Sequence, residues 1–360
     1  MALYILVTGV IIYLATFVKN NNTLNQLNTR QNAINKMILV FITIILFLLS
    51  ALRVNVGNDY TSYIEIFEKI YNNKTVSTEI GFNFIVRLFQ FFLGENTFIP
   101  IFAFFAIIIA YYMVRGVYEQ VDIFWYGIAI FMFSGLYFNS FTTMRYYVAL
   151  SIVIYSTKYM YRKDYLPFII HVLIAATMHK TALLVIPVYL FIFRKWKKFE
   201  YILVGIGALT LIFFEDFYRR LVFLVYPFYE NSVYDNYETS YFNIAKGICI
   251  LCFALIYYKQ FKKDEKLLFY FKLNLIAIIV YSCASFVPVV SRIAYYFVWA
   301  QIFLVANIVC RIENKKMKYL FGTLIFLVYI AFFIIYLKDA TNPNLKLLPY
   351  KTWIMKEVIR

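Results

Sequence analysis

Three arginines, Arg53 in "SALRVNVG", Arg145 in "FTTMRYYVAL" and Arg292 in "VVSRIAYYF", each stand at the edge of a long apolar run. A guanidinium is a planar fork that matches phosphate oxygens two at a time and is costly to bury without a partner. Singly, each arginine can snorkel to lipid headgroups; together, with few acids to neutralise them, the three fit a clamp on a diphosphate. Asp59 follows Gly57-Asn58, a turn signal. It reads either as the cap of a short helix through "DYTSYIEIF" or as a general base or sugar-hydroxyl ligand. His179, in the apolar "AATMHKTALL", is a second candidate base or a structural hydrogen-bond partner, and His171 lies deeper in its apolar run and reads as structural. Tyr60, Tyr63 and Glu79 (in "TEIGF") complete the set as sugar contacts or local structure.

The elements that must hold these residues are set by composition. Of 360 residues 63% are hydrophobic and 15% charged, with a mean hydropathy of +0.71, values a soluble surface does not tolerate. The apolar runs are continuous, without the alternation of a barrel strand, and recur from end to end. The expected fold is all-α, a polytopic transmembrane bundle of about 10–13 helices with an outward-facing cleft. Spans are expected near 3–18, 37–52, 97–114, 123–138, 144–160, 165–178, 180–193, 201–214, 241–258, 267–286, 293–310 and 319–337, the first retained as a span. Segment 165–193 is read as a hairpin turning at His179 and Lys180 in preference to one long helix. Segment 80–93 is short and carries Arg87, so a re-entrant or interfacial piece is expected there. The outer loop 215–240, with Tyr218, Tyr226, Tyr229, Tyr234 and Tyr237, suits the headgroup belt or a lid over the cleft. Residues 1–337 then form a single transmembrane domain, and 338–360 an interfacial tail anchored by Trp353.

A net charge of +16 would point to nucleic acid in a soluble protein. Here about half of the lysines and arginines fall in short loops. If the spans alternate, one set of loops holds 19 of them and the opposite set 8, the tail aside, which places the first set in the cytoplasm. Arg53, Asp59, Glu79, Arg145, His179 and Arg292 then face outward, beyond the reach of cytoplasmic nucleotides, and nucleic acid is not an expected partner. Cys249, Cys252, Cys283 and Cys310 read as small buried hydrophobes. No Walker loop, zincin helix, G-x-S-x-G elbow or internal repeat is present, and neither a metal nor a cofactor is expected.

The stretch "ALRVNVGNDYTSYIEIF" resembles the R-x3-G-x-D-Y-x2-Y signature of the EpsG family of bacterial exopolysaccharide proteins, which are Wzy-like polymerases. "TEIGFNFIVRLF" is similar to that family's acid-x-Gly-aromatic segment, "ATMHKTALL" to its His-x-Ser/Thr-Ala segment and "SRIAYYF" to its late Arg-Ile-x-x-Tyr-aromatic segment. "FTTMRYYVAL" sits where the family commonly shows Arg-Gln; Tyr146 replaces the glutamine, so the match there stops at Arg145. The likeness runs from about residue 1 to 350. It implies a GT-C-like fold in the bacterial cytoplasmic membrane, active face outward, joining undecaprenyl-diphosphate-linked oligosaccharides by glycosyl transfer. Arg53, Arg145 and Arg292 would bind diphosphate, and Asp59 or His179 would take the hydroxyl proton. Besides the lipid-linked substrate and the bilayer, a chain-length regulator and a flippase are the expected partners. A flippase for the same lipid-linked unit and a membrane acyltransferase are the competing functions.

Overall fold

The computed structural model describes residues 1–19, 29–95, 97–225, 227, 230–231, 239–287 and 290–353. They form helices α1 (Ala2–Ala15), α2 (Thr29–Ala51), α3 (Tyr60–Tyr71), α4 (Ile80–Leu93), α5 (Phe98–Gln120), α6 (Phe124–Phe133), α7 (Met144–Tyr161) and α8 (Tyr165–Met178). These are followed by α9 (Val185–Phe193), α10 (Lys198–Phe213), α11 (Glu215–Val225), α12 (Tyr241–Ile256), α13 (Tyr258–Phe261), α14 (Glu265–Cys283), α15 (Ser291–Arg311) and α16 (Lys315–Lys338). No strand occurs among the described residues; one isolated bridge pairs Arg53 with Thr352.

Each of the twelve expected spans falls on a helix, but among the described residues only α2, α5, α14, α15 and α16 are long and apolar enough to cross a membrane. α10 and α11, bent by 84° at their junction, make a sixth if they count as one. For α1, α6, α8, α9 and α12 the shortfall is one of length, 9–16 residues against about 20 for the hydrocarbon core; α7 has 18 residues but includes Arg145, Lys158 and five tyrosines. The apolar run 165–193 is interrupted at His179, whose backbone is extended (φ −154°, ψ 111°), and a 3-10 turn over Lys180–Leu184 follows. The cysteines correct an expectation: Cys249 and Cys252 are exposed on α12, and Cys283 and Cys310 are half-buried. Of the loop 215–240, Tyr226, Tyr229, Tyr234 and Tyr237 lie outside the described residues, as do 354–360 of the tail.

The chain divides into two compact units, residues 1–183 with 313–360, and residues 184–312. In the first, α5, α7 and α8 pack side by side, and α2 lies against α5. α5 and α7 approach closely at Gly116, where a Cβ would stand 2.9 Å from Ile154 Cγ2. Below it Gln120 donates to the Gly116 and Ile154 carbonyls and accepts from Thr157 Oγ1 at 2.6 Å, so the buried amide costs little. The segment 344–353 folds back on the chain near α2. Lys346 and Lys351 carbonyls accept from the Gly57 and Val54 amides (both 2.8 Å), Trp353 N donates to Leu52 O, and Tyr4 Oη donates to Leu347 O. In the second unit, α12, α14 and α15 pack together. Buried Gln301 donates to Asn274, which donates to the Gly247 carbonyl.

Candidate functional site

The loop after α2 owes its shape to two residues of the R-x3-G-x-D motif. Arg53 turns back on the helix it follows, donating to Ser50 O (2.9 Å), Ser50 Oγ and Val56 O (3.2 Å). The last carbonyls of a helix have no partner within it and carry the negative end of its dipole, so a cation there caps it. The guanidinium rests on the rings of Phe141 (4.7 Å) and Phe102 (5.5 Å), and the residue is 3% exposed. Burial lowers its pKa, opposed by the surrounding hydroxyls of Tyr137, Tyr60, Tyr350 and Tyr4. Gly57, at φ +96°, lies so close to the 138–141 turn that a Cβ would be 1.8 Å from the Phe141 carbonyl oxygen. This contact seats the start of α3 beside the turn that leads into α7.

α3 then delivers its tyrosines inward. Tyr60 stacks on Phe102 (4.6 Å, 3° between planes), and Tyr63 Oη accepts from the backbone N–H of Arg145 at 3.2 Å. Burial raises the Tyr63 phenol's pKa, with the Arg145 charge opposing and the Asp59 carboxylate reinforcing, so both charges lie near one hydroxyl. Asp59 holds the N-cap position of α3 but its side chain makes no capping bond; it is half-exposed. Arg145, at the second position of α7, crosses the Phe82 ring (5.4 Å) and donates from Nη1 to Glu79 Oε2 at 2.5 Å. The other Glu79 oxygen accepts from the Lys180 amide at 3.3 Å. That reach depends on Gly81, where a Cβ would meet Thr177 Oγ1 of α8 at 2.3 Å. The glycine two residues after the acid lets the first turn of α4 touch the end of α8. Beside it His179, 7% exposed, bonds Thr181 Oγ1 through Nδ1 at 2.6 Å and meets the Tyr146 ring edge-on at 5.3 Å.

The geometry therefore gathers Asp59, Tyr63, Glu79, Arg145 and His179 from four separate stretches around the first turn of α7. The Arg145 and Glu79 side chains are 22% and 14% exposed, so the ion pair is reachable from outside the packed interior.

A model of the EpsG family matches residues 36–352. The chain belongs to the EpsG family. No curated protein and no solved structure is matched. The match ends at Thr352, the bridge partner of Arg53, so this EpsG chain has both residues of that bridge within the family region.

Of the expected arginines, Arg53 and Arg145 rest on different rings of one aromatic cluster and bond no common group. Arg292, half-buried at the second position of α15, belongs to the other unit. The reading from sequence overlooked Phe82 beneath Arg145, Thr181 beside His179, and Tyr4, Tyr137 and Tyr350 around Arg53. Thr181 was within reach, two residues from the histidine. Tyr350 and the tail give no local signal, since their contacts span about 300 residues: Tyr350 Oη donates to Leu49 O at 2.7 Å.

Proposed function

We infer that the protein has the Wzy-like polysaccharide polymerase role that membership in this family carries in general terms. We propose that the protein joins undecaprenyl-diphosphate-linked oligosaccharides at the outer face of the bacterial cytoplasmic membrane, in a GT-C-like bundle with an outward-facing cleft. The observation that carries the reading is the Arg145 group: a partly exposed guanidinium at a helix N-terminus, with two acids, a histidine and a tyrosine gathered around it. In glycosyl transfer from a diphosphate, the leaving group is already good. The protein's task is to stabilise the charge that develops on it and to hold the attacking hydroxyl in line.

In this scheme Arg145 takes the diphosphate, helped by the N-terminal end of α7. Asp59, half-exposed and near the Tyr63 hydroxyl, takes the proton from the acceptor hydroxyl as that oxygen bonds the anomeric carbon and the diphosphate departs with its electron pair. His179 positions the acceptor sugar; with Nδ1–H donated to Thr181, its Nε2 accepts from a sugar hydroxyl. Tyr63 fixes the Arg145 backbone, and Glu79 orients the guanidinium. Arg292, in the other unit, stays a proposed diphosphate-binding residue on the strength of its family segment "SRIAYYF" alone. Arg53, enclosed by carbonyls and rings, and Tyr60, stacked on Phe102, serve the loop that carries Asp59. A chain-length regulator and a flippase are proposed partners.

The test is purified protein with lipid-linked repeat unit. Longer glycans that vanish in Asp59→Asn while substrate still binds support the scheme. Relocated substrate without longer glycans, or acetyl incorporation alone, contradicts it.

A further inference from the structure

The far ends of α5, α7 and α8 carry a second polar cluster that the proposed reaction does not use. Along α7, thirteen residues or about 20 Å from Arg145, Lys158 is 8% exposed. Its ammonium lies over the Tyr155 ring (3.8 Å) and near that of Tyr159 (5.0 Å). Among the described residues it makes one hydrogen bond, to Tyr155 Oη at 2.5 Å, although an ammonium carries three donors. His171 closes the wall, its ring tilted against those of Tyr159 (5.1 Å) and Tyr155 (5.9 Å) and its Nδ1–H donated to Pro167 O.

Arg115 and Arg162 flank this cage and share one carboxylate: Glu119 pairs with Arg115 at 2.7 Å and with Arg162 at 3.7 Å. Arg115 Nε is buried with no hydrogen-bond partner. Three cations thus surround a single acid, and Lys158 and Arg115 both hold donors in reserve. Arg115 Nε is closed to solvent and Lys158 nearly so, and an anion entering the cluster would balance their charge. The approach is apolar. Ile107 and Tyr111 on α5 and Leu166 and Ile170 on α8 are exposed large hydrophobics near the same ends. An anion with acyl chains meets both demands.

We propose that this cluster binds the phosphate headgroup of an anionic membrane lipid, with Arg162 and Arg115 gripping the phosphate oxygens, Lys158 supplying the deeper charge and the chains lying along α5 and α8. The site is on the opposite end of α7 from the Arg145 group and is independent of the reaction assigned there. Native mass spectrometry of the full-length protein, delipidated in detergent and incubated with phosphatidic acid, phosphatidylcholine or inorganic phosphate, tests it. Phosphatidic acid is expected to be retained at least about tenfold over phosphatidylcholine, a difference of ~1.4 kcal/mol. Arg162→Gln and Lys158→Gln should each bring retention towards that of phosphatidylcholine, and Lys158→Arg should restore part of it. Arg162 is mostly exposed, so its variant keeps the test valid if a Lys158 variant fails to fold. Equal retention of the two lipids, or undiminished retention by Arg162→Gln, overturns the site. Displacement by inorganic phosphate at equal concentration overturns the lipid as its source.

Discussion

Arg53 and Arg145 follow the same sequence logic, a guanidinium at the edge of an apolar run, yet their surroundings differ in kind. Arg53 gives Nε and Nη1 to backbone carbonyls and a serine, keeps a buried Nη2 without a hydrogen-bond partner among the described residues, and is sealed beneath tyrosines and a folded-back tail. Arg145 meets a carboxylate, and that pair is partly open. Carbonyl oxygens at a helix end do not leave, so an arginine bound to them is committed to the fold. A carboxylate on a neighbouring helix is a partner that a phosphate can match in charge and geometry. The type of acceptor, more than the arginine itself, separates a structural cation from a functional one.

The largest effect expected from breaking this contrast is at Gly57. Gly57→Ala puts a Cβ 1.8 Å from a backbone oxygen at positive φ and should cost at least ~4 kcal/mol, so that little folded protein is recovered. Arg53→Met should lower stability by ~3 kcal/mol, seen as a fall in thermal midpoint in detergent, because it strands buried carbonyls. Arg53→Lys should recover only part, since an ammonium lacks the fork. Arg145→Ala should leave the midpoint nearly unchanged, its ion pair being partly solvated and worth ~1 kcal/mol at most. Its cost should fall on polymer formation. Gly81→Ala, which forces α4 off Thr177, should cost ~1–3 kcal/mol and shorten polymer on a sugar gel by loosening Glu79 from the Lys180 amide. Smallest is Lys346→Ala. Its side chain bonds Asn55 Oδ1 at 2.7 Å on the exposed side of the tail, and the midpoint should move by no more than ~0.5 kcal/mol equivalent.

Helices were legible because apolar runs must satisfy their own backbone bonds, and the twelve segments all became helical. Crossing was less legible. Hydropathy marks what avoids water, and the interior of a helical unit avoids it as well as lipid does, so 123–138 and 180–193 read as spans though the α-helices within them have only 10 and 9 residues. Within the site, the linear motifs gave Arg53, Gly57, Asp59, Tyr63, Glu79, Arg145 and His179 individually. What they could not give was partnership. Glu79 meets Arg145 across 66 residues and Lys180 across 101, and these pairings depend on Gly81 and Gly57 permitting close approach of backbones. The enclosure of Arg53 by residues 346–353 was equally hidden, because "LKLLPYKTW" has the composition of an interfacial segment and nothing local marks it as a partner for Val54 and Gly57.

The central claim is that Arg145, and not Arg53, delivers charge to the departing diphosphate. The direct measurement is the turnover of purified, folded Arg145→Ala protein on lipid-linked repeat unit, alongside its thermal midpoint. A midpoint within a few degrees of wild type with turnover lowered about 100-fold, the usual cost of one lost transition-state donor, is the predicted result. Wild-type turnover from folded Arg145→Ala protein would contradict it.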